Sequence, residues 1–387
     1  MAIPISYNIR NMILRKGLTT MTALGIALTV MTVVFLMMLL AGMQRAFVTS
    51  GDPLNVLVLR KGSTSELAGG FTKDKLPILT ALPGIAKDSE GRPLVSGEWV
   101  VVVNLPRKDG TGETNVTLRG MGPEGLRFRP KVRLSAGEWF TPGRRELVVS
   151  QSIHNRFAHT GVGDMIDFGK GAWKVTGIFD AGGTSYDSEI WSDINQVADQ
   201  FNRQNALGSA YLRATDPIAA DALKHRVADD QRLELEGMLE TEYYDKQTTS
   251  GNPIKFMGYI VGLTMAIGSI FAAANTMYAA VAYRSREIAT LRVIGFRRAS
   301  IVLSFIFESL LLALAGAAVG IILMLPFNGM STGTSNAITF SEVEFSMRIT
   351  PRVVMSAVAF ALAMGLIGGV APAWGAARRE ILAALRD

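Results

Sequence analysis

The residues of this chain with the densest chemical potential lie in the stretch YRSREIATLRVIGFRRASI, Tyr283 to Ile301, where Arg284, Arg286, Arg292, Arg297 and Arg298 gather around one acid, Glu287. Arginine offers recognition of charge rather than bond making, because the guanidinium does not give up its proton in proteins. Ile288, Leu291 and Ile294 recur at three-residue spacing, Arg284 and Glu287 stand at i and i+3, and Gly295 is a natural C-terminal stop. These features predict a short helix with an oily edge and a basic rim. Two roles fit it: a docking element for another protein, or a basic loop that only sets membrane topology.

Other reactive types are sparse. There is no cysteine, which removes disulfides and thiolate metal sites, and there are three histidines. His154 and His159 are five apart, a poor same-face spacing for a metal ligand pair. GDMIDFGKG (163–171) is the nearest approach to a phosphate loop, but five residues separate its first glycines where four are needed, and Gly171 stands where Ser or Thr would bind magnesium. It reads as a strand ending in a turn. No Ser/His/Asp order or paired-carboxylate pattern stands out, so catalysis by this chain is not expected. Glu308 is the remaining oddity. It lies about nine residues, or roughly 13 Å, into an apolar run, where a lipid-facing charge would cost roughly 2.5–3.5 kcal/mol. It either pairs within a helix bundle, controls movement, or marks the inner boundary.

The elements that must position these residues follow from composition. With 387 residues, 49% hydrophobic and 19% charged, the chain is oily for a soluble protein and dilute for a pure membrane bundle. Four runs are long enough for a bilayer core, which needs roughly 20 helical residues: 18–42, 253–283, 299–327 and 353–377. The first is uncharged and far longer than a signal-peptide core, so it reads as an uncleaved span. Lys and Arg cluster before the first run (Arg10, Arg15, Lys16), between the second and third, and in the tail (Arg378, Arg379, Arg386). Four spans place those three segments on one side, the cytoplasm, and residues 43–252 outside. The net charge of +6 is thereby accounted for by topology, and a nucleic-acid partner is not implied. Ile5, Ile9, Met12 and Ile13 share a helical face, so residues 1–17 suit an amphipathic helix in the inner interface. Gly262, Gly268, Gly316, Gly320, Gly365, Gly368 and Gly369 suit close helix packing.

The outer segment reads as α+β. LNVLVLRKG (54–62) is strand-like, and FTKDKLPILTALPG (71–84) helix-like. SAYLRAT (209–215) reads as a strand, Asp216 and Pro217 open a helix to about Val227, and LELEGML follows as a strand. Between them EWVVVVNL, TNVTLRGM, ELVVS, DMIDFGKG and AWKVTGIFD are short strand-like runs, with a helix after Trp191. The order suggests an α+β subdomain (43–90 and 208–250) split by a β-rich insertion (91–207).

The segment NTMYAAVAYRSREIATLRVIGFRRASIVLSFIFESLLLALAGAAVG (275–320) resembles the permease domain shared by MacB, FtsX and LolC/LolE-type ABC transporters. The tail APAWGAARREILAAL (371–385) is similar to that family's ending, except that Glu380 stands where proline is usual. The likeness extends more weakly across the outer segment. It implies four spans, a cytoplasmic link (284–298) acting as a coupling helix, an outer loop (328–352) and a cytoplasmic tail (378–387). By matching position it also implies a seat for a separate ATPase subunit formed by Arg284, Arg286, Glu287, Ile288, Leu291, Arg292 and Gly295. ATP and magnesium would then be bound by that partner and no cofactor by this chain. A second permease copy, a bacterial inner-membrane location and a possible periplasmic adaptor or substrate protein follow from the same resemblance. Two rivals remain at this point: an FtsX-like regulator of a cell-wall hydrolase, and a membrane-anchored receptor without an ATPase.

Overall fold

The computed structural model describes residues 10, 14, 16–248, 252–335 and 341–378. The amphipathic face proposed for residues 1–17 and the tail beyond Arg378 lie outside them. The chain divides into a helical unit (up to Ala41, Pro253–Met330, and from Met347) and an outer unit (Gly42–Asn252 with Ser331–Ser346).

Among the described residues, the helical unit contains four helices long and apolar enough to cross a membrane: α1 (Lys16–Ser50, whose last residues belong to the outer unit), α7 (Asn252–Tyr283), α9 (Arg298–Met324) and α10 (Pro351–Arg378). Ile26, Val30, Val34 and Met38 of α1 recur every four residues and are buried with Ala313 and Ala317 of α9 and Ala357 and Ala361 of α10. Small residues permit this approach. A Cβ on Gly316 would lie 2.9 Å from the Ala23 carbonyl, and one on Gly320 would lie 2.7 Å from that of Ala27. Gly268, expected to share this role, has open space around it among the described residues. Hydroxyls join α1 to α7: Thr22 to Thr276 at 2.7 Å and Thr29 to Ser269 at 2.5 Å.

In the outer unit, α1 continues to Ser50, eight residues beyond the expected end of the first span. The reason is a persisting stripe: Met43, Ala46, Phe47 and Ser50 fall at i, i+3, i+4 and i+7 and are all buried. Ten strands then form one sheet: β1 (Asn55–Arg60), β3 (Val95–Pro106), β4 (Glu113–Met121), β5 (Arg133–Gly137), β6 (Glu146–Ser150), β7 (Met165–Phe168), β8 (Gly171–Asp180), β9 (Glu189–Asp193), β11 (Ser209–Arg213) and β12 (Leu235–Leu239). Their order is β12-β1-β11-β3-β4-β9-β6-β8-β5, with β7 hairpinned onto β8.

One sheet runs through both parts of the expected split. The flanking strands and the insertion share a sheet because β3 is long enough to pair twice, its start with β11 (Ser209 opposite Glu98) and its remainder with β4. Two cores remain, one around Val56, Leu79, Leu212, Leu223 and Val227, the other around Leu105, Leu118, Val149, Trp173 and Ile190. The helix expected over 71–84 is shorter. Phe71–Thr72 is a strand (β2) paired with Ala206–Leu207 (β10), and only Lys75–Thr80 (α2) is helical. The helix expected after Trp191 is α4 (Ile194–Gln200), and Asp216 caps α5 (Pro217–Asp229) by accepting from the Ala219 amide at 2.9 Å. Elements absent from the sequence reading are α3 (Gln151–Arg156), β5, β9 and α6 (Glu240–Thr248). A hairpin, β13 (Ser331–Ser335) with β14 (Glu342–Ser346), stands where only a loop was expected.

Candidate functional site

The arginine-rich stretch forms α8 (Ser285–Val293), and its end is set by Gly295 in the left-handed region at φ 103°. The expected seat residues divide by direction. Arg284 turns inward: its guanidinium donates to Glu308 at 2.9 and 3.2 Å, and both side chains are buried. The acid within the third apolar helix thus has a named partner, at the first residue of the link. Arg292 donates to the Ala377 carbonyl at 3.0 Å. Ile288 is buried with Met277, Val281, Ile301, Phe305 and Ala376. Leu291 is half-buried, while Arg286, Glu287 and Gly295 are exposed.

Of the oily edge expected from Ile288, Leu291 and Ile294, Ile288 is covered by the chain's own helices, Leu291 is half-buried and Ile294 stays open. The apolar residues left open are Tyr283 (82% exposed), Val293 and Ile294 (65% each). Spacing alone identifies a stripe but not which side of the helix is already covered. The resulting object is a short helix braced at both ends to α9 and α10, with an exposed apolar tip beside Arg286, Glu287, Arg297 and Arg298.

The outer unit holds a second constellation that the sequence reading missed. Arg119 on β4 lies between β3 and β9, with Glu98 and Glu189 two residues off its register on either side. Its guanidinium donates to Glu98 at 2.8 Å, to Glu189 at 2.8 and 2.7 Å, and to Glu66 at 2.8 and 3.0 Å. Arg129 adds two 2.7 Å bonds to Glu98 and lies over the rings of Tyr186 and Tyr211. All five ion-paired residues are buried. Burial opposes ionisation of Glu66, but the Arg119 charge and the bonds from Arg119 and Ser209 outweigh it and hold its carboxyl below 4.5. The signal was present in the sequence as charges inside strand-like runs, yet no pattern specifies that they meet.

Glu240, at the start of α6, completes the interior. It accepts from the Asp52 amide at 2.9 Å, from Asn55 at 2.8 Å and from the Tyr186 hydroxyl at 2.6 Å. Burial pushes its carboxyl above 4.5 despite these donors. A carboxyl raised on folding contributes stability that is complete below pH 4.5 and is lost as pH rises through the folded value. Glu240→Gln is therefore expected to flatten this fall in outer-unit stability, read as the denaturant midpoint of tryptophan fluorescence against pH. An unchanged slope above pH 4.5 contradicts the assignment.

The histidines do not converge. His154 bonds the Thr160 carbonyl at 3.0 Å through Nδ1, and His159 occupies a left-handed turn position at φ 55°. GDMIDFGKG holds β7 and the turn that leads into β8, a strand ending in a turn.

Residues 19–230 match the MacB-like periplasmic core domain, and residues 259–381 match the FtsX-like permease C-terminal domain. The macrolide export ATP-binding/permease protein MacB of Rhodopseudomonas palustris is 22% identical over 389 residues, covering 94% of this chain and 57% of the relative. MacB of Nitrosomonas europaea is 24% identical over 407 residues, covering 97% and 58%. The chain thus spans a little over half the length of these relatives. The crystal structure of the periplasmic region of MacB from Actinobacillus actinomycetemcomitans superposes on 50% of this chain and 92% of its own, at 13% identity and a TM-score of 0.38. With one family domain matching more than half of the chain and a second matching its C-terminal helices, this membrane protein belongs to the MacB/FtsX-type family of ABC-transporter permeases.

Proposed function

We propose that this chain converts ATP hydrolysis by a separate ATPase subunit into movement of its outer unit, which expels or extracts a substrate on the far side of a bacterial inner membrane. In this reading α8 faces the cytoplasm, the ATPase seats on it, and a second permease copy completes the assembly. The observation that carries the reading is the bracing of α8. Arg284 is tied to Glu308, Arg292 to the Ala377 carbonyl, and Ile288 is packed, so a push on α8 reaches α9 and α10 without being absorbed by a loose link. The exposed tip of Val293 and Ile294 beside basic residues is the shape such a partner requires, an apolar anchor with a charged rim.

The seat accordingly centres on Tyr283, Arg286, Glu287, Val293 and Ile294. Arg284, Ile288 and Arg292 transmit rather than touch. The test is purification of the tagged chain in mild detergent from its native cells, with mass spectrometry and an ATPase assay on the eluate, wild type beside Ile294→Glu. An ATPase is expected with wild type, and its recovery is expected to fall roughly 30-fold in the variant, the loss of about 2 kcal/mol typical of a hot spot. Absence of any ATPase across several detergents would leave the outer unit as a receptor.

A further inference from the structure

The hairpin formed by β13 and β14 belongs to the outer unit, although the chain enters it from α9 and leaves it into α10. Two kinds of contact hold it. On one face of β14, Val343 and Phe345 are buried, and the Glu344 amide donates to Ser188 Oγ at 2.7 Å. On the other, alternating as a strand requires, Glu342 and Glu344 meet two arginines. Arg107 donates to Glu342 at 2.9 Å, and Arg156 donates to Glu344 at 2.8 Å and also to Glu342.

The arginines are themselves fixed in place. Arg107 is bridged to Phe157, and the Lys108 amide bonds the Arg156 carbonyl at 2.9 Å. Both guanidiniums lie against the Phe157 ring, 5.8 and 5.6 Å from its centre. The two glutamates keep about 9–10% of their side-chain surface exposed and the arginines 21–24%, so the charges are mostly shielded from water and salt.

A surface loop needs neither a buried apolar face nor a doubly fixed pair of cations. We infer that the hairpin, positioned by Arg107 and Arg156, is a second attachment of the outer unit, through which displacement of α9 and α10 is transmitted to it. The inference rests on the reading that ATP hydrolysis moves this unit. It adds a path beside α1 and α6, and it gives the two arginines a positioning role.

The experiment uses the full chain with its ATPase in lipid nanodiscs. Because the sequence has no cysteine, Ile218→Cys and Thr290→Cys, both exposed, accept spin labels uniquely. The distance between labels is measured with and without ATP in wild type, in Glu342→Lys/Glu344→Lys, and in that variant with Arg107→Glu/Arg156→Glu added. The ATP-dependent shift is expected to fall by at least half in the reversed variant and to return in the exchanged one. Glu342→Gln/Glu344→Gln, which removes charge but keeps acceptors, is expected to fall between, and it serves if charge reversal prevents folding.

Equal shifts in wild type and the charge-altered variants overturn the transmitting role of the hairpin while leaving the ATP-driven reading intact. Failure of the exchange to restore the shift overturns the ion-pair basis. A wild type with bound ATPase and no shift removes the ATP-driven reading, and this inference with it.

Discussion

Arg119→Met is expected to lower the unfolding free energy of the outer unit by about 3–5 kcal/mol at neutral pH, because removing one partner of a buried ion network leaves uncompensated charge. Arg119 contacts three carboxylates, Glu66, Glu98 and Glu189, while Arg129 contacts only Glu98 among them. Glu66 and Glu189 would lose their guanidinium. Against a typical domain stability of about 5–15 kcal/mol, that loss is a large fraction. The pH dependence has a definite sign. In wild type Glu66 is held below 4.5, so its contribution is present above that pH and is lost as pH falls through the lowered value. In the variant, burial acts on Glu66 without Arg119 and favours the neutral acid, so acidification costs the variant less. The stability gap should narrow as the pH is lowered toward and below 4.5. Tryptophan fluorescence follows it, since Trp99, Trp139, Trp173 and Trp191 all lie in the outer unit and Trp191 donates to Glu189 at 2.7 Å. A gap under about 1 kcal/mol, or one constant with pH, would show that the network does not hold the sheet.

Glu308→Gln carries the second large effect. It leaves the Arg284 guanidinium buried in the helical unit without its carboxylate, at a cost of about 3–5 kcal/mol by the same argument. The expected result is a clear drop in the thermal midpoint of the detergent-solubilised chain. Arg284→Met/Glu308→Leu should recover most of it, because apolar residues of similar volume often replace a buried pair without loss. If the double variant is no more stable than the single one, the pair is not the source of the effect. The double variant also separates stability from transmission, since it folds without the ionic brace between α8 and α9. On the proposed function its ATP-driven movement should be weaker than its stability alone would suggest.

Much of this was legible in the chain itself. The four apolar runs announce their helices because roughly 20 uncharged residues in a row have few other solutions. Strands such as NVLVLR and ELVVS declare themselves by β-branched and apolar residues between turn signals. The helix Ser285–Val293 with its glycine stop was readable because capping and spacing are local. The resemblance carried by 275–320 anticipated the family.

What the chain could not announce was anything set by partners distant in sequence. β9 was hidden because EIWSD is short and carries two acids, and it becomes a strand by lying between β4 and β6. The hairpin of β13 and β14 was hidden because its polar residues read as loop until Arg107, 235 positions before Glu342, and Arg156, 188 before Glu344, are brought to them. By itself the sequence determined the apolar helices, most strands and the basic link, each of which rests on contacts within a few residues. Only the tertiary structure decided that the ten strands form one sheet, that Arg119 sits among three glutamates, and that Ile288 faces inward while Ile294 stays open. Burial and ion pairing depend on which surfaces long-range folding has already covered, and no local pattern encodes that.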